Sequence, residues 1–175
     1  GIFIMATNLE FIKSASGTAS TLDVTNCFSD KYDVYKLVIP TFEVSNTSNS
    51  VHIRLLDSTS TVISASEYDN AGQVLLSYSS FTETRETAQS YIRYIGYATV
   101  NVDVGIGATI YVYNPYDSSS YTFLQYQASG WVNGSGLAGY KSINVHKSAE
   151  QITGFQLSAG SSTMDNIEVS VYGVK

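Results

Sequence analysis

The chain has 175 residues, which fits a single domain, and its apolar fraction of 43% is ample for one hydrophobic core. The net charge of −6, with no cluster of Lys or Arg, argues against binding to nucleic acid or to an anionic membrane surface, and no apolar run approaches the length of about 20 residues that spans a bilayer. Only 14% of the residues are charged, whereas Tyr, Ser, Thr, Val and Ile are abundant, which is typical of all-β domains.

The N-terminal residues 1–5 are expected to be an extension or a cloning remnant, with Met5 as the natural start, and residues 6–175 to be one β-sandwich domain. The one cysteine, Cys27, has no second cysteine and no nearby histidine in the sequence. It therefore predicts neither a disulfide nor a zinc or redox site, and we expect a buried small apolar side chain.

Short runs of β-forming residues recur along the first half of the chain, separated by Ser, Asn, Gly and Asp. Pro40 lacks a backbone donor, so we expect it at a strand end or at a sheet edge. Turns are predicted at 45–50 and at 69–72, the second from its sequence Asp-Asn-Ala-Gly. The predicted strands of this half are 9–13, 21–25, 32–40, 51–56, 61–64 and 73–77.

The segment 83–95 is ambiguous, because its apolar residues follow a helical spacing while Tyr91 and its successors are β-formers. We predict a loop followed by a strand from Tyr91. A turn at 105–107 and a Gly-rich loop at 129–139 are also predicted. The remaining predicted strands are 99–104, 108–113, 121–128, 140–147, 152–157 and 167–172. Ten or more strands without a convincing helix indicate an antiparallel, jelly-roll-like β-sandwich.

One motif invites a cofactor interpretation. Residues 134–139 read G-x-G-x-x-G, but a strand pattern follows them where a dinucleotide site needs the start of a helix. We therefore predict a surface loop and no cofactor.

The histidines and acids do not form a recognisable site in the sequence. His52 and His146 lie on what looks like the polar side of their strands and lack metal-ligand spacing, so exposed histidines and no metal are predicted. Nothing in the sequence pairs the acids for general acid–base work, and no nucleophile motif is present, so no enzyme is predicted. The acids considered are Glu67, Asp69, Glu83, Glu86, Asp117 and Glu150.

Aromatic side chains are the strongest candidates for contact with a partner, because flat rings stack on sugars and anchor interfaces. Trp131 lies in a predicted Gly/Ser/Asn loop, where recognition residues commonly sit. The same side chains could equally fill the edge of the sandwich. The candidates for ligand or subunit contact are Trp131, Tyr113, Tyr116, Tyr121, Tyr126 and Tyr140.

The order of several short motifs resembles the β-sandwich domains of tailed-bacteriophage virion proteins, both tail-fibre-like and capsid-surface domains. The motifs run, in chain order, LEFI at 9–12, YDVYKLVI at 32–39, IYVYNP at 110–115, YTF at 121–123, GYKS at 139–142, ITGF at 152–155 and VYG at 171–173. The resemblance covers nearly the whole chain from Met5. The segment 83–95 departs from the Gly/Ser-rich middle that these proteins usually have.

The resemblance implies a structural component of the virion surface, and hence of an extracellular particle. A capsid decoration or knob-like protein and a tail-appendage protein are the two roles it leaves open. It implies other virion proteins as partners and a homo-oligomer, for which we expect a trimer. The alternative function is a carbohydrate-binding module or host-receptor adhesin, which would bind a host-surface glycan through its surface aromatics.

Overall fold

The structure, a computed structural model, describes residues 8–45, 51–93, 95, 106–132 and 134–175. Within these residues the chain is all-β and folds as an antiparallel β-sandwich, as the sequence predicts. No helix of this part of the chain is long and apolar enough to cross a membrane.

Twelve strands form the sandwich in the described residues, and apolar and polar residues alternate along most of the longer ones. They are β1 (Leu9–Gly17), β2 (Thr21–Val24), β3 (Val34–Val44), β4 (His52–Leu56), β5 (Tyr68–Leu76), β6 (Thr82–Gln89), β7 (Ile106–Tyr113), β8 (Thr122–Val132), β9 (Gly136–His146), β10 (Gly154–Ser158), β11 (Met164–Asp165) and β12 (Ile167–Val174).

The two sheets are unequal. In the described residues the larger sheet has nine strands: eight in the order β1-β12-β3-β7-β8-β9-β5-β6, and β11, which pairs with β3. The smaller sheet has three strands in the order β2-β10-β4. All of these pairings are antiparallel, and the smaller sheet packs on one face of the larger one.

The core lies between the sheets. On β3, Tyr35, Leu37 and Ile39 point inward, whereas the residues between them face the opposite side of the sheet. The central strand of the smaller sheet, β10, is buried along its whole length, and Phe155 of this strand packs against Phe28 with ring centroids 6.1 Å apart. Cys27 is also buried, as predicted, and its burial raises the pKa of the thiol to about 12.

The polar side of β9 is the buried side. Ser142 and Asn144 point into the core, where Asn70 of the neighbouring strand β5 donates hydrogen bonds to both, at 3.0 Å to Ser142 Oγ and 2.5 Å to Asn144 Oδ1. Asn144 in turn donates to the carbonyl oxygen of Leu124 at 3.3 Å. Buried polar groups are tolerated when they satisfy one another in this way.

The predicted turn at 69–72 is wrong, because these residues lie inside β5. Asn70 has its side chain in the buried network, and Gly72 has no room for a larger one. A Cβ atom at Gly72 would come within 2.8 Å of the carbonyl oxygen of Lys141 on β9. Turn-type residues are used here for hydrogen bonding and close packing between strands.

Pro40 lies inside β3, so its predicted position at a strand end or sheet edge is wrong, although the reason for that prediction holds. The ladder between β3 and β7 shifts register between Ile39 and Phe42, and the pairing with β12 stops at Val38. The missing backbone donor of Pro40 therefore falls where neither neighbouring strand needs it.

Several other sequence boundaries need correction. The loop predicted before Tyr91 contains strand β6, whereas Ile92 contributes only an isolated bridge to Ile53. The predicted strand 61–64 is likewise reduced to one bridge, between Val62 and Leu56. Ile106 and Gly107 of the predicted turn begin β7, and the predicted loop 129–139 is largely the end of β8 and the start of β9. The predicted turn at 45–50 beyond its first residue, the predicted strand 99–104 and residues 1–7 lie outside the described residues.

Candidate functional site

The face of the larger sheet that points away from the smaller sheet, here called the open face, carries the candidate site. Strand register aligns one side chain from each of eight strands in a single row across it. The row runs Phe11, Tyr172, Lys36, Tyr111, Gln125, Ile143, Ala71 and Arg85. Because all of these side chains stand on hydrogen-bonded strands, they are held in fixed positions relative to one another.

Large apolar side chains are exposed on the open face. Ile143 is 65% exposed, Phe123 is 48% exposed and Phe11 is 58% exposed. At the far end of the β8–β9 hairpin, Trp131 and Leu137 are directly opposed residues on the same face, and about half of each is exposed. A row of exposed apolar side chains on one face commonly marks a binding surface.

A groove crosses the middle of the open face, between β7 and β6. Its volume is about 590 Å³, which falls within the range of roughly 300–1,000 Å³ that is common for small-ligand sites. Two tyrosines, three glutamines and three charged groups of both signs line it, next to Ile143. The side chains that bear on function are Tyr111, Gln125, Gln127, Lys141, Glu83 and Arg85.

The aromatic candidates separate into two groups. Trp131 and Tyr121 are about half exposed, and Tyr113 and Tyr116 are half-buried, so these four remain available for contact. Tyr113 also lies directly opposite Phe123 on the open face.

Tyr126 and Tyr140 are buried, although Tyr126 is also among the residues that line the groove. Their rings stack in the core with centroids 5.6 Å apart. The Tyr126 hydroxyl donates to the carbonyl oxygen of Arg93, and burial raises the pKa of this phenol well above its usual value. Both rings therefore support the sheet from the core, behind the exposed side chains of the open face.

Sequence reasoning missed most of the apolar side chains on the open face, including Phe11, Phe123, Leu137 and Ile143. The alternation of β9 is visible in the sequence, but we expected its apolar half to be inside. The exposed aromatic residues Tyr78 and Phe81, in the turn between β5 and β6, were also missed.

Both histidines differ from the prediction that they are exposed. His52 is half-buried, and its ring stacks on Tyr91 with centroids 4.3 Å apart. Burial, with the nearby cations Arg93 and Arg54, lowers the pKa of His52 to about 4.

His146 is fully buried at the end of β9. Its Nε2 lies 3.2 Å from Oε2 of Glu67 and 3.6 Å from Oε1 of Glu150. The sequence did not indicate this convergence, because Glu67 precedes β5 and is distant along the chain. An imidazole and two carboxylates are a set of donors that can hold a metal ion.

Comparisons with known proteins do not assign the chain to a family. No protein-family model matches it, and no match is found among curated proteins. The open face, the groove and the resemblance on short motifs therefore carry the functional argument.

Proposed function

We propose that this chain is a structural component of the surface of a tailed-bacteriophage particle and that its open face is the surface by which it recognises a host-surface glycan. The observation that carries the proposal is the groove across the open face, with exposed apolar side chains on both sides of it. The resemblance on short motifs supports the assignment to a phage particle. The groove and the exposed side chains of the open face support glycan binding.

The groove has the chemistry that a sugar requires. Gln125 and Gln127 each offer an amide donor and acceptor, and Lys141, Glu83 and Arg85 add charged hydrogen-bonding groups. Sugar hydroxyl groups pair with both kinds of partner. Because the strands fix the backbone positions of these residues, only the side chains have to become ordered on binding.

Apolar contacts on the open face suit the flat faces of sugar rings. Tyr111 lies inside the groove, and its ring is 5.9 Å from the Nζ atom of Lys36. Phe123 and Trp131 mark the two ends of the same face of β8, and eight residues of strand separate them by about 27 Å. A glycan of several sugars could therefore contact the groove and an aromatic end together.

The test of glycan recognition is binding of the isolated chain to a printed panel of bacterial surface oligosaccharides. We expect binding that Lys141→Gln and Trp131→Ala weaken, while both variants keep the melting temperature of the parent chain. Thr87→Ala, on the exposed outer side of β6 and outside the groove, is the matched control. Absence of binding across the panel, or binding that neither variant changes, would contradict this part of the proposal.

The test of the particle assignment is electron microscopy of phage particles that carry this chain, labelled with antibody against the purified protein. Label on the head favours a decoration or knob-like role, and label on the tail favours an appendage. Purified particles without label would contradict the assignment to the virion. This outcome is independent of glycan binding.

Assembly with a further copy of this chain is the second candidate function, and the apolar edge of the open face favours it. Leu9 and Phe11 on β1 are exposed there, and the ring of Phe11 packs edge-on against Tyr172, with centroids 5.8 Å apart. We expect a trimer in light scattering, and Phe11→Ser should convert it to a monomer. A monomer of the parent chain at micromolar concentration would exclude this second function.

The edge strands of the larger sheet do not need a second copy to cover them, so they give no support to assembly. The edge strand β1 carries Lys13 and a register shift beside it, and the other edge strand, β6, carries Glu83, Arg85 and Glu86. Bulges and charges are devices that protect an edge without a partner. Only the exposed apolar side chains of the open face therefore favour assembly.

A further inference from the structure

Three side chains from separate segments converge at one end of the sandwich. His146 ends β9, Glu150 lies in the loop that follows, and Glu67 immediately precedes β5. The backbone joins two of these segments, because the amide of Lys147 donates to the carbonyl oxygen of Glu67 at 2.8 Å. One ligand atom from each of the three side chains lies within 4.8 Å of the other two.

A single hydrogen bond from the His146 ring does not satisfy both carboxylates of this cluster. The Nε2–H of an imidazole points at one acceptor, and the 3.2 Å distance to Glu67 is a hydrogen bond, whereas the 3.6 Å distance to Glu150 is too long. The two carboxylates carry like charges in close proximity, so one of them lacks a direct partner at the imidazole. A cation between the three atoms would contact both.

The distances fit a metal ion of ordinary size. With bonds of about 2.0–2.1 Å to nitrogen and oxygen, the ligand atoms of a tetrahedral zinc site lie about 3.3–3.4 Å apart. The two distances from His146 Nε2, 3.2 Å and 3.6 Å, lie on either side of that value. The two carboxylate oxygens lie within 4.8 Å of each other, so side-chain rotation of the partly exposed glutamates brings all three ligands onto one ion.

A second observation concerns the other nitrogen of the same ring. His146 and Thr122 are directly opposite each other on β9 and β8, and both are fully buried. Neither His146 Nδ1 nor Thr122 Oγ1 has a hydrogen-bond partner among the described residues. Opposed side chains in an antiparallel pair are neighbours, so one water between them can join a hydrogen on Nδ1 to this hydroxyl. That tautomer directs the Nε2 lone pair at the two carboxylates, which is how metal-binding histidines are oriented.

We propose that Glu67, His146 and Glu150 form a binding site for a divalent transition-metal ion, of which Zn²⁺ is the probe. The imidazole ligand favours Zn²⁺ over Ca²⁺ and Mg²⁺, which prefer oxygen ligands throughout. Both glutamate side chains are about a third exposed, so the ion can enter from solvent and can keep a water ligand. The bound ion joins β9, its following loop and the start of β5.

The test is calorimetric titration of the chelator-treated chain with Zn²⁺ at neutral pH. We expect binding of one ion per chain, and the variants Glu67→Gln and Glu150→Gln should each weaken it by about tenfold or more. Glu83→Gln and His52→Gln, which change an acid and a histidine elsewhere, should bind as the parent chain does. Melting temperatures without metal show that each variant is folded.

Nuclear magnetic resonance of the His146 ring gives a second readout. Zn²⁺ should shift the Nε2 resonance and leave a proton on Nδ1. Absence of Zn²⁺ binding at millimolar concentration would overturn the proposal, and so would binding that survives in the double variant of Glu67 and Glu150. In either case the hydrogen bond with Glu67, and no metal ion, positions the His146 ring. The glycan test above does not depend on this result.

Discussion

The imidazole of His52 stacks on the phenol ring of Tyr91, with centroids 4.3 Å apart and planes 13° from parallel. Arg54 and Arg93 lie over the same tyrosine ring, at 5.6 Å each from its centroid. The stack joins β4 to the segment that follows β6. It also places the histidine beside two cations, which disfavours its own positive charge.

The first prediction is that His52 makes the chain less stable in acid. Its pKa falls from a usual 6.5 to about 4 in the folded state, chiefly through burial, so between these values the unfolded chain binds the proton and the folded chain does not. Stability from this group is complete above pH 6.5 and declines as the pH falls toward 4. After allowance for solvent screening we expect a loss of about 1–2 kcal/mol.

Urea unfolding at several pH values in this window checks the prediction when the parent chain is compared with His52→Gln. The glutamine variant lacks the titrating ring, so subtraction removes the contribution of every other group that titrates in the same range. Equal slopes of stability against pH in the two proteins would show that His52 titrates normally.

The second prediction concerns the buried network on β5 and β9. Asn70→Ala removes the donor to Ser142 and Asn144 and leaves both side chains less satisfied in the core. We expect a loss of about 2–3 kcal/mol in the free energy of unfolding, because an unsatisfied buried polar group costs about 1–3 kcal/mol. Gln127→Ala on the exposed side of β8 should cost less than about 0.5 kcal/mol. A similar, small cost for both variants would show that the network does not stabilise the fold.

The third prediction is that Gly72→Ala destabilises the pairing of β5 with β9. The new methyl group would lie 2.8 Å from both the Lys141 carbonyl oxygen and the Ser142 Cβ atom, and backbone cannot yield as a side-chain tip does. We expect a cost of about 1–3 kcal/mol in urea unfolding. At Gly17 the nearest atom, Cδ1 of Leu22, is 3.4 Å away, so Gly17→Ala should be close to neutral. Equal stability of the two variants would contradict the close approach of the strands.

The fold class was predictable because the alternation of apolar and polar residues is local and strong. The pattern of 32–40 identified the strand β3, and the runs 108–113 and 121–128 coincide closely with β7 and β8. Turns predicted from composition were less secure. Asp69 to Gly72 has turn-forming residues, but contacts from β6 and β9 on either side make the segment a strand. Such long-range pairing is not encoded in the segment itself.

The candidate site was predictable only in part. Trp131 is exposed as its hydrophilic neighbours suggest, but it lies in a strand rather than a loop. The sequence of β9 alternates a polar side with a side that contains Ile143, and nothing local states which side is covered. Only the position of β9 beside β5, where Asn70 completes the polar network, decides the question. The same pairing of β5 with β9 places Tyr68 opposite His146 and so brings Glu67, the preceding residue, close to the imidazole.

The fourth prediction is that Cys27 is unreactive in the folded chain. Its thiol is buried beside the carbonyl oxygen of Val24, and the pKa of about 12 keeps the reactive thiolate scarce at neutral pH. A disulfide reagent should label the protein slowly in buffer and rapidly in concentrated urea. Rapid labelling in buffer, at the rate of the unfolded chain, would show that the region around Cys27 opens readily.

The fifth prediction tests which face of the larger sheet is covered. Ile110 and Ile143 lie on β7 and β9 of one sheet, but the first is fully buried and the second is 65% exposed. Ile110→Thr buries a hydroxyl and removes apolar contacts, so we expect a loss of about 2–4 kcal/mol. Ile143→Thr should change stability by less than about 0.5 kcal/mol, since threonine suits an exposed strand position. Urea unfolding of both variants gives the comparison. A large loss of stability for Ile143→Thr in the purified protein would mean that a further copy of the chain covers the open face. Light scattering of the same samples would detect that copy.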